Sequence, residues 1–322
     1  MKKTWPIIIG LILVAAGCTV RLDFLGEDRM QEVVLLKSPA KEKVLVIDLE
    51  GMIGPLGQDG ILNREGDVLS RVYARLQRAA EDSLVRGVIL RLDTPGGDVT
   101  SSDILYREIQ KFKKNTGLPV VALMMGVAAS GGYYVASACE AIVAHPSTIT
   151  GSIGVISIFP DMEGLLSKVG IKMQVIKSGD LKDAGSPFRD LSEKEQRIFQ
   201  EIIDELYERF LEVVHERRKD ALSLDEIRNL ADGRVYTAVQ ALKLKLVDEV
   251  GYIDDALARV LALAKIPAAR VIAYTYYPKR QTNLYAAKLE NTSLFEQKSL
   301  ADVLPTLRSG FYYLWLPQMK LD

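Results

Sequence analysis

The amino-acid sequence predicts an α/β layered domain whose sheet is covered by helices on both faces. Short runs rich in β-branched and other apolar residues recur at residues 44–49, 87–92 and 119–125. Between them apolar residues return at helical spacing, as Val68, Val72, Leu76, Ala79 and Ala80 do over residues 67–85. Strands that are apolar throughout are buried on both sides, and the intervening amphipathic helices supply the cover.

In order along the chain, a strand over 44–49 precedes the helix over 67–85. A strand over 87–92 then leads into the loop Thr94-Pro95-Gly96-Gly97. A helix over 102–112 and a strand over 119–125 follow, and the alternation continues with strands over 141–144, 153–156 and 172–176. Ser192, with Glu195 three residues on, opens a long amphipathic helix to Arg218 as a capping box. Helices over 224–230 and 237–244, a strand over 246–249 and a helix over 253–264 complete the pattern. Residues 19–42 read as a tether, 43–265 as the main domain and 266–322 as a C-terminal extension. That extension is rich in tyrosine and finishes in an apolar tail, residues 311–317, which either docks on the body or mimics an extended ligand.

The first 18 residues read as an export segment. Lys2 and Lys3 precede an apolar run over 5–16, which ends in Ala15-Ala16-Gly17-Cys18. The run is shorter than the roughly 20 residues a spanning helix needs, and it has the basic and small-residue flanks of a signal peptide. Cys18 after small residues resembles a bacterial lipobox, with Ala15 where such boxes usually carry leucine. Lipidation of Cys18 and an uncleaved membrane anchor are the two readings. Both place the bulk of the chain outside the cytoplasm, on the periplasmic side of a bacterial envelope. The other cysteine, Cys139, lies among small apolar residues and reads as a buried, inert thiol.

Composition excludes several classes. A formal net charge of −1 gives no electrostatic ground for a nucleic-acid partner. With two histidines and no Cys/His cluster at ligand spacing, metal catalysis is not expected. The Gly96-Gly97 loop matches neither a Walker A loop nor a Rossmann fingerprint, and no cofactor is expected.

Acyl transfer needs a nucleophile, a base and donors for an oxyanion. In Gly126-Val127-Ala128-Ala129-Ser130-Gly131-Gly132 a strand ends and a helix opens just after the serine. Ser130 there is either a helix cap or a hydroxyl presented at a helix N-terminus. The glycine pair 96–97 is either a turn, an N–H donor to an oxyanion, or an edge beside which a peptide lies as an added strand. His215 reads as a surface residue and His145 as a strand-end residue before a proline, so a lysine base is the alternative to histidine. A lysine serves if burial lowers its pKa from about 10.4 toward neutrality.

Ala129-Ser130-Gly131-Gly132-Tyr133-Tyr134, Thr150-Gly151-Ser152-Ile153-Gly154-Val155 and Lys177-Ser178-Gly179-Asp180-Leu181-Lys182-Asp183 together resemble signal peptide peptidase A. The 93–97 loop and the run from Ala231 to Gly251 match as well, so the resemblance covers residues 43–265 in one order. It implies the short form of the family and a Clp-protease/crotonase-like fold of repeated β-β-α units. It further implies Ser130 as nucleophile, Lys182 as general base, Ser152 as the lysine's hydrogen-bond partner, and the N–H groups of Gly97 and Gly131 as the oxyanion hole. Lys177 falls on a strand position of the family. The resemblance also implies a ring-like homo-oligomer with dyads completed between protomers, and hydrophobic peptides, remnant signal peptides, as substrates. The rival readings are a catalytically silent peptide-binding scaffold and a crotonase-type acyl-CoA enzyme.

Overall fold

The computed structural model describes residues 30–54, 68–276, 283–284 and 310–315. Cys18, the expected export segment and the end of the apolar tail lie outside the described residues. The strands are β1 (Gln31–Leu36), β2 (Lys43–Glu50), β3 (Val85–Thr94), β4 (Gly96–Asp98), β5 (Val120–Ala129), β6 (Ala141–Ala144), β7 (Ile149–Gly151), β8 (Ile156–Ile158), β9 (Val235–Thr237), β10 (Glu249–Val250), β11 (Arg270–Thr275) and β12 (Gly310–Leu314). The helices are α1 (Val68–Glu81), α2 (Val99–Thr116), α3 (Gly131–Ala136), α4 (Glu163–Lys168), α5 (Glu193–Arg218), α6 (Leu224–Leu230), α7 (Ala238–Lys243) and α8 (Ile253–Ala264).

The main sheet runs β1-β11-β2-β3-β5-β6-β10, with β7 and β9 continuing from the far end of β5. Its centre is parallel: β2 pairs with β3, β3 with β5, and β5 with β6. Period-2 geometry divides each central strand between two cores. Val44 and Val46 of β2, Ile89 of β3, and Val121 and Leu123 of β5 face α8, where they meet Ile253, Ala256 and Val260. Leu45, Ile47, Leu90, Leu92, Ala122 and Met124 face the other way, into the core shared with α1, α2, α3 and α5. This is the two-sided cover expected of strands that are apolar throughout.

The caps follow the sequence. Ser192 and Glu195 close the expected capping box at the start of α5, and the Asp98 side chain accepts the Ser101 N–H at the start of α2. At the far end of α5, Arg218 is buried and donates to Asp248 at 2.6 Å and to the Leu246 carbonyl. The other Asp248 oxygen accepts the Ile142 N–H at 2.7 Å, so a single carboxylate ties α5 to β6.

The structure corrects the sequence reading in several places. Residues 31–36, read as tether, form β1 and pair antiparallel with β11; β11, read as extension, pairs parallel with β2. The main sheet therefore continues past both expected domain ends. The strand expected over 153–156 is displaced to β8, because Ser152 adopts a left-handed φ of 48° and turns the chain. The strand expected over 246–249 shrinks to β10. Residues 172–176 form no strand at all: their alternating pattern meets no partner edge among the described residues, and Met173, Val175 and Ile176 stand exposed.

Arg218→Ala removes one charged donor from Asp248 and the Leu246 carbonyl, which keep Arg217, the Ile142 N–H and the Tyr133 hydroxyl, at an expected cost of about 1–3 kcal/mol. Urea unfolding, with an unchanged m-value and a lowered midpoint, is the measurement that checks it.

Candidate active site

The site is built at the end of β5. Leu92 pairs with Met124, but Thr94 pairs with Ala128, so β5 carries extra residues around Met125–Val127 that have no partners on β3. The Val127 N–H left over by this bulge donates to the Asp93 carboxylate at 3.0 Å. Past the bulge, β5 exchanges one neighbour for another: residues 121–124 pair with β6, whereas 127–129 pair with β7. The bulge thereby re-aims the last turn of the strand.

Ser130 sits at the next residue, between β5 and α3, with φ 52° and ψ −113°. This left-handed φ is uncommon for any residue but glycine and is found at functional turns. The turn is held because the Ser130 N–H donates to the Gly151 carbonyl of β7 at 2.7 Å. The side chain is 1% exposed, and its Oγ has no hydrogen-bond partner among the described residues. A buried hydroxyl without a partner is costly, and such groups mark sites awaiting one.

Both glycines of the 96–97 loop come to the same place. Gly97 lies against Ile53, and a Cβ on Gly97 would stand 1.8 Å from the Ile53 carbonyl oxygen, so only glycine permits this approach. The spot where a Cβ on Gly96 would sit is 2.7 Å from the Gly131 nitrogen. A Cβ on Gly131 would in turn stand 3.2 Å from the Gly97 nitrogen. The two N–H groups singled out as oxyanion donors are thus neighbours at the start of α3. Ser152 is buried directly after Gly151, whose carbonyl holds Ser130, and its own N–H donates to the Arg234 carbonyl at 2.8 Å.

Lys182 is elsewhere. Its side chain is exposed, and the unpartnered Ser130 Oγ makes no bond to it, so one chain does not bring the two together. Lys182 rides a turn whose N–H contacts are local, Lys182 to the Gly179 carbonyl at 3.1 Å. That turn is pinned to the start of α5: Arg189 bridges Asp183 at 2.8 Å and Glu195 at 2.6 Å. Lys177 binds Asp183 at 2.7 Å and is spoken for as an ion-pair partner. Hydrogen bonds from Arg189 and Lys177 hold the Asp183 carboxyl well below the usual range. Hydrogen bonds from Arg189 and Ser192 hold Glu195 at about 2.

Two features escaped the sequence reading. One is an acidic cluster beside the bulge: Asp48 on Arg91 at 2.6 Å, with Glu50 and Asp93 paired across β2 and β3. Burial, then the neighbouring Asp48 charge, pushes the Glu50 carboxyl up to about 7. The other is the pairing of the tail, which was expected to dock on the body or mimic an extended ligand: β12 lies between β4 and β8, antiparallel to both. Its apolarity was legible, but its address was not. Cys139 is buried as expected, and burial pushes its thiol up to about 12.

Comparison with known proteins agrees with this fold. Residues 112–267 match the family model described as peptidase family S49. The chain is 34% identical over 277 residues, 86% of this chain and 78% of the relative, to a candidate signal peptide peptidase SppA of Enterococcus faecium. It is 37% identical over 216 residues, 67% of this chain and 68% of the relative, to a candidate protease of Methanocaldococcus jannaschii. Protease 4 of Haemophilus influenzae is 33% identical over 261 residues, 80% of this chain but 41% of that longer protein. The chain belongs to peptidase family S49, in the signal peptide peptidase A group, and has the family's Clp-protease/crotonase-like fold. It is a peptidase.

Asp93→Ala removes the acceptor for the Val127 N–H and costs about 1–2 kcal/mol of order at the turn. Peptidase kcat is expected to fall roughly tenfold, while Asp93→Asn, which keeps an acceptor oxygen, retains most of it. Acid acts on the loop that carries Lys182. Glu195 has a folded pKa depressed from its unfolded value of about 4.3, so its contribution is present above that pH and is lost as pH falls toward 2. Thermal unfolding between about pH 5 and pH 2 is expected to show this loss in the parent and less of it in Arg189→Gln.

Proposed function

We propose that the chain is a serine endopeptidase in which Ser130 attacks the peptide carbonyl and Lys182 of a neighbouring protomer is the general base. The observation that carries the reading is the Ser130 hydroxyl, buried and unpartnered on a strained turn beside the Gly97 and Gly131 N–H groups. A strained strand-to-helix turn that holds a serine next to backbone donors is the arrangement acyl transfer requires. Ser152, buried one residue beyond Gly151, is the partner that orients the lysine amine.

A base contributed by a neighbour is supported by where Lys182 lies. It stands exposed at the end of a stretch whose apolar side chains, Leu165, Val169, Ile171, Met173, Val175 and Ile176, are about half or more exposed among the described residues. Packing that stretch against the next copy buries it and desolvates the amine, which is what lets a lysine act as a base. Repetition of a head-to-tail contact of this kind closes a ring. In the reaction Lys182 takes the Ser130 proton, the acyl-enzyme forms as the amine product leaves with that proton, and water then releases the acid.

The substrates are hydrophobic peptides bound in extended form along β4, remnant signal peptides being the class the family resemblance suggests. An N-terminal membrane attachment, through Cys18 or an uncleaved anchor, holds the catalytic domain on the periplasmic side of the bacterial envelope. Among the described residues no helix is long and apolar enough to cross a membrane.

Full-length protein, Ser130→Ala and Lys182→Ala are assayed on a fluorogenic hydrophobic peptide, alone and mixed. Each variant alone is expected to lose activity by at least about a thousandfold. The two inactive variants, dissociated and reassembled together, are expected to regain part of it, because a Ser130 from one meets a Lys182 from the other. Activity retained in either variant alone removes that residue from the mechanism, and no recovery on mixing places both groups in one chain.

A further inference from the structure

Glu50 ends β2 beside Asp93 of β3, its partner in register. Neighbouring strands lie roughly 4.8 Å apart, and registered residues of a parallel pair share a face, so the two carboxyl side chains leave the sheet side by side. Each is joined to the support of one main-chain donor. Directly after Glu50 the Gly51 N–H donates to the Asp93 carbonyl at 3.0 Å, and two residues further on Ile53 bridges to Gly97. The Ile53 N–H donates to the Gly96 carbonyl at 2.8 Å, and its carbonyl accepts the Asp98 N–H at 2.7 Å. This short segment braces Gly97. The Asp93 side chain, for its part, accepts the Val127 N–H and closes the bulge from which β5 runs on to Ser130 and Gly131. The two carboxyl groups thus meet where the brace of one donor joins the bulge that aims the other.

The surroundings of Glu50 are unevenly charged. Asp48 lies two residues back on the same face of β2, and Arg91 of β3 donates to it at 2.6 Å. Asp93 is the other charged group β3 presents there, α1 brings Arg71, and β5 carries no charged residue. The Leu284 carbonyl accepts from Arg91 at 2.9 Å. Among the described residues three carboxyl groups therefore share two guanidinium groups. Burial, then the Asp48 charge, raises Glu50 to about 7, and burial raises Asp93 as well. A protonated carboxyl beside a carboxylate donates to it, whereas two carboxylates repel.

We propose that Glu50 is a positioning residue of the peptidase: protonated, it donates to the Asp93 carboxylate and ties the Ile53 brace to the β5 bulge; ionised, it repels Asp93 and loosens the two N–H donors beside Ser130. The inference rests on the peptidase reading of Ser130. It adds an alkaline loss of catalytic power that originates in neither the nucleophile nor the base. The folded pKa of Glu50 lies above its unfolded value of about 4.3. Its stabilising contribution is therefore whole below that value and is lost as pH rises through about 7.

Full-length parent and Glu50→Gln are compared on the fluorogenic hydrophobic peptide, glutamine having the shape of the protonated acid and a donor at every pH. The general-base limb is common to both proteins and cancels in their ratio. The ratio of the variant's kcat to the parent's is expected to rise about threefold from about pH 5.5 to about pH 8.5, with the KM ratio little changed, because these donors act on the transition state. With Asp93→Asn in both proteins, which keeps an acceptor for Val127 and removes the repelling charge, the ratio is expected to stay flat. Asp93→Asn alone, set against the parent, is expected to show the same rise, and serves if Glu50→Gln does not fold. A second readout needs no catalysis. On the Ser130→Ala protein, adding Glu50→Gln is expected to raise Tm by about 2 °C or more at about pH 7.5 relative to its effect at about pH 4.3. A kcat ratio constant with pH overturns the proposal, with or without the Tm difference, which alone would leave Glu50 a purely structural residue. A rise that persists undiminished with Asp93→Asn in place overturns it too. Activity that survives Ser130→Ala removes the catalytic reading instead, and the Tm difference on that same variant still reads the bond between Glu50 and Asp93.

Discussion

Everything at the candidate site depends on main chain approaching main chain where no side chain could fit. Ile53, β4, β12 and the start of α3 converge on Gly96 and Gly97, and a single Cβ on Gly97 would run into the Ile53 carbonyl. This packing fixes the two N–H groups beside Ser130 without any flexible side chain, so on the proposed reading they need no reorganisation as charge develops. The parallel sheet supplies the rigidity. β5 is buried on both faces, and the only irregular stretch near its end is the bulge that Asp93 caps. A strand so confined transmits the geometry of its bulge directly to the residue that follows it, which is Ser130.

Local chemistry was legible in the sequence, whereas pairings distant in the chain were not. The strand-turn-helix around Ser130, the glycine loop and the capping box at Ser192 are each specified within about a dozen residues, and the structure places them as the patterns suggested. What the sequence did not disclose was partnership. Residues 31–36 and 270–275 lack a strong period, yet they become strands because β2 offers a free edge to β11, and β11 offers one to β1. Residues 172–176 show the reverse case: a good strand pattern with no edge to join among the described residues, left exposed. β-propensity describes fitness for a pleated, half-buried surface, and the surface must be supplied by another part of the chain or by another chain.

The candidate catalytic residues divide along the same line. Ser130, Ser152, Gly97 and Gly131 belong to one rigid body, held by β5, β7 and the start of α3. Lys182 belongs to a surface turn anchored by ion pairs to α5. Sequence order alone could not separate these two groups, since Lys182 follows Ser152 by a short and apparently continuous stretch.

That separation has a physical consequence for control. A serine hydroxyl buried without a base is inert, and a lysine amine standing in water is held in its charged form by solvation. On the proposed reading both handicaps are removed by one event, the burial of the apolar stretch before Lys182 against a neighbouring site, which desolvates the amine and delivers it to the hydroxyl.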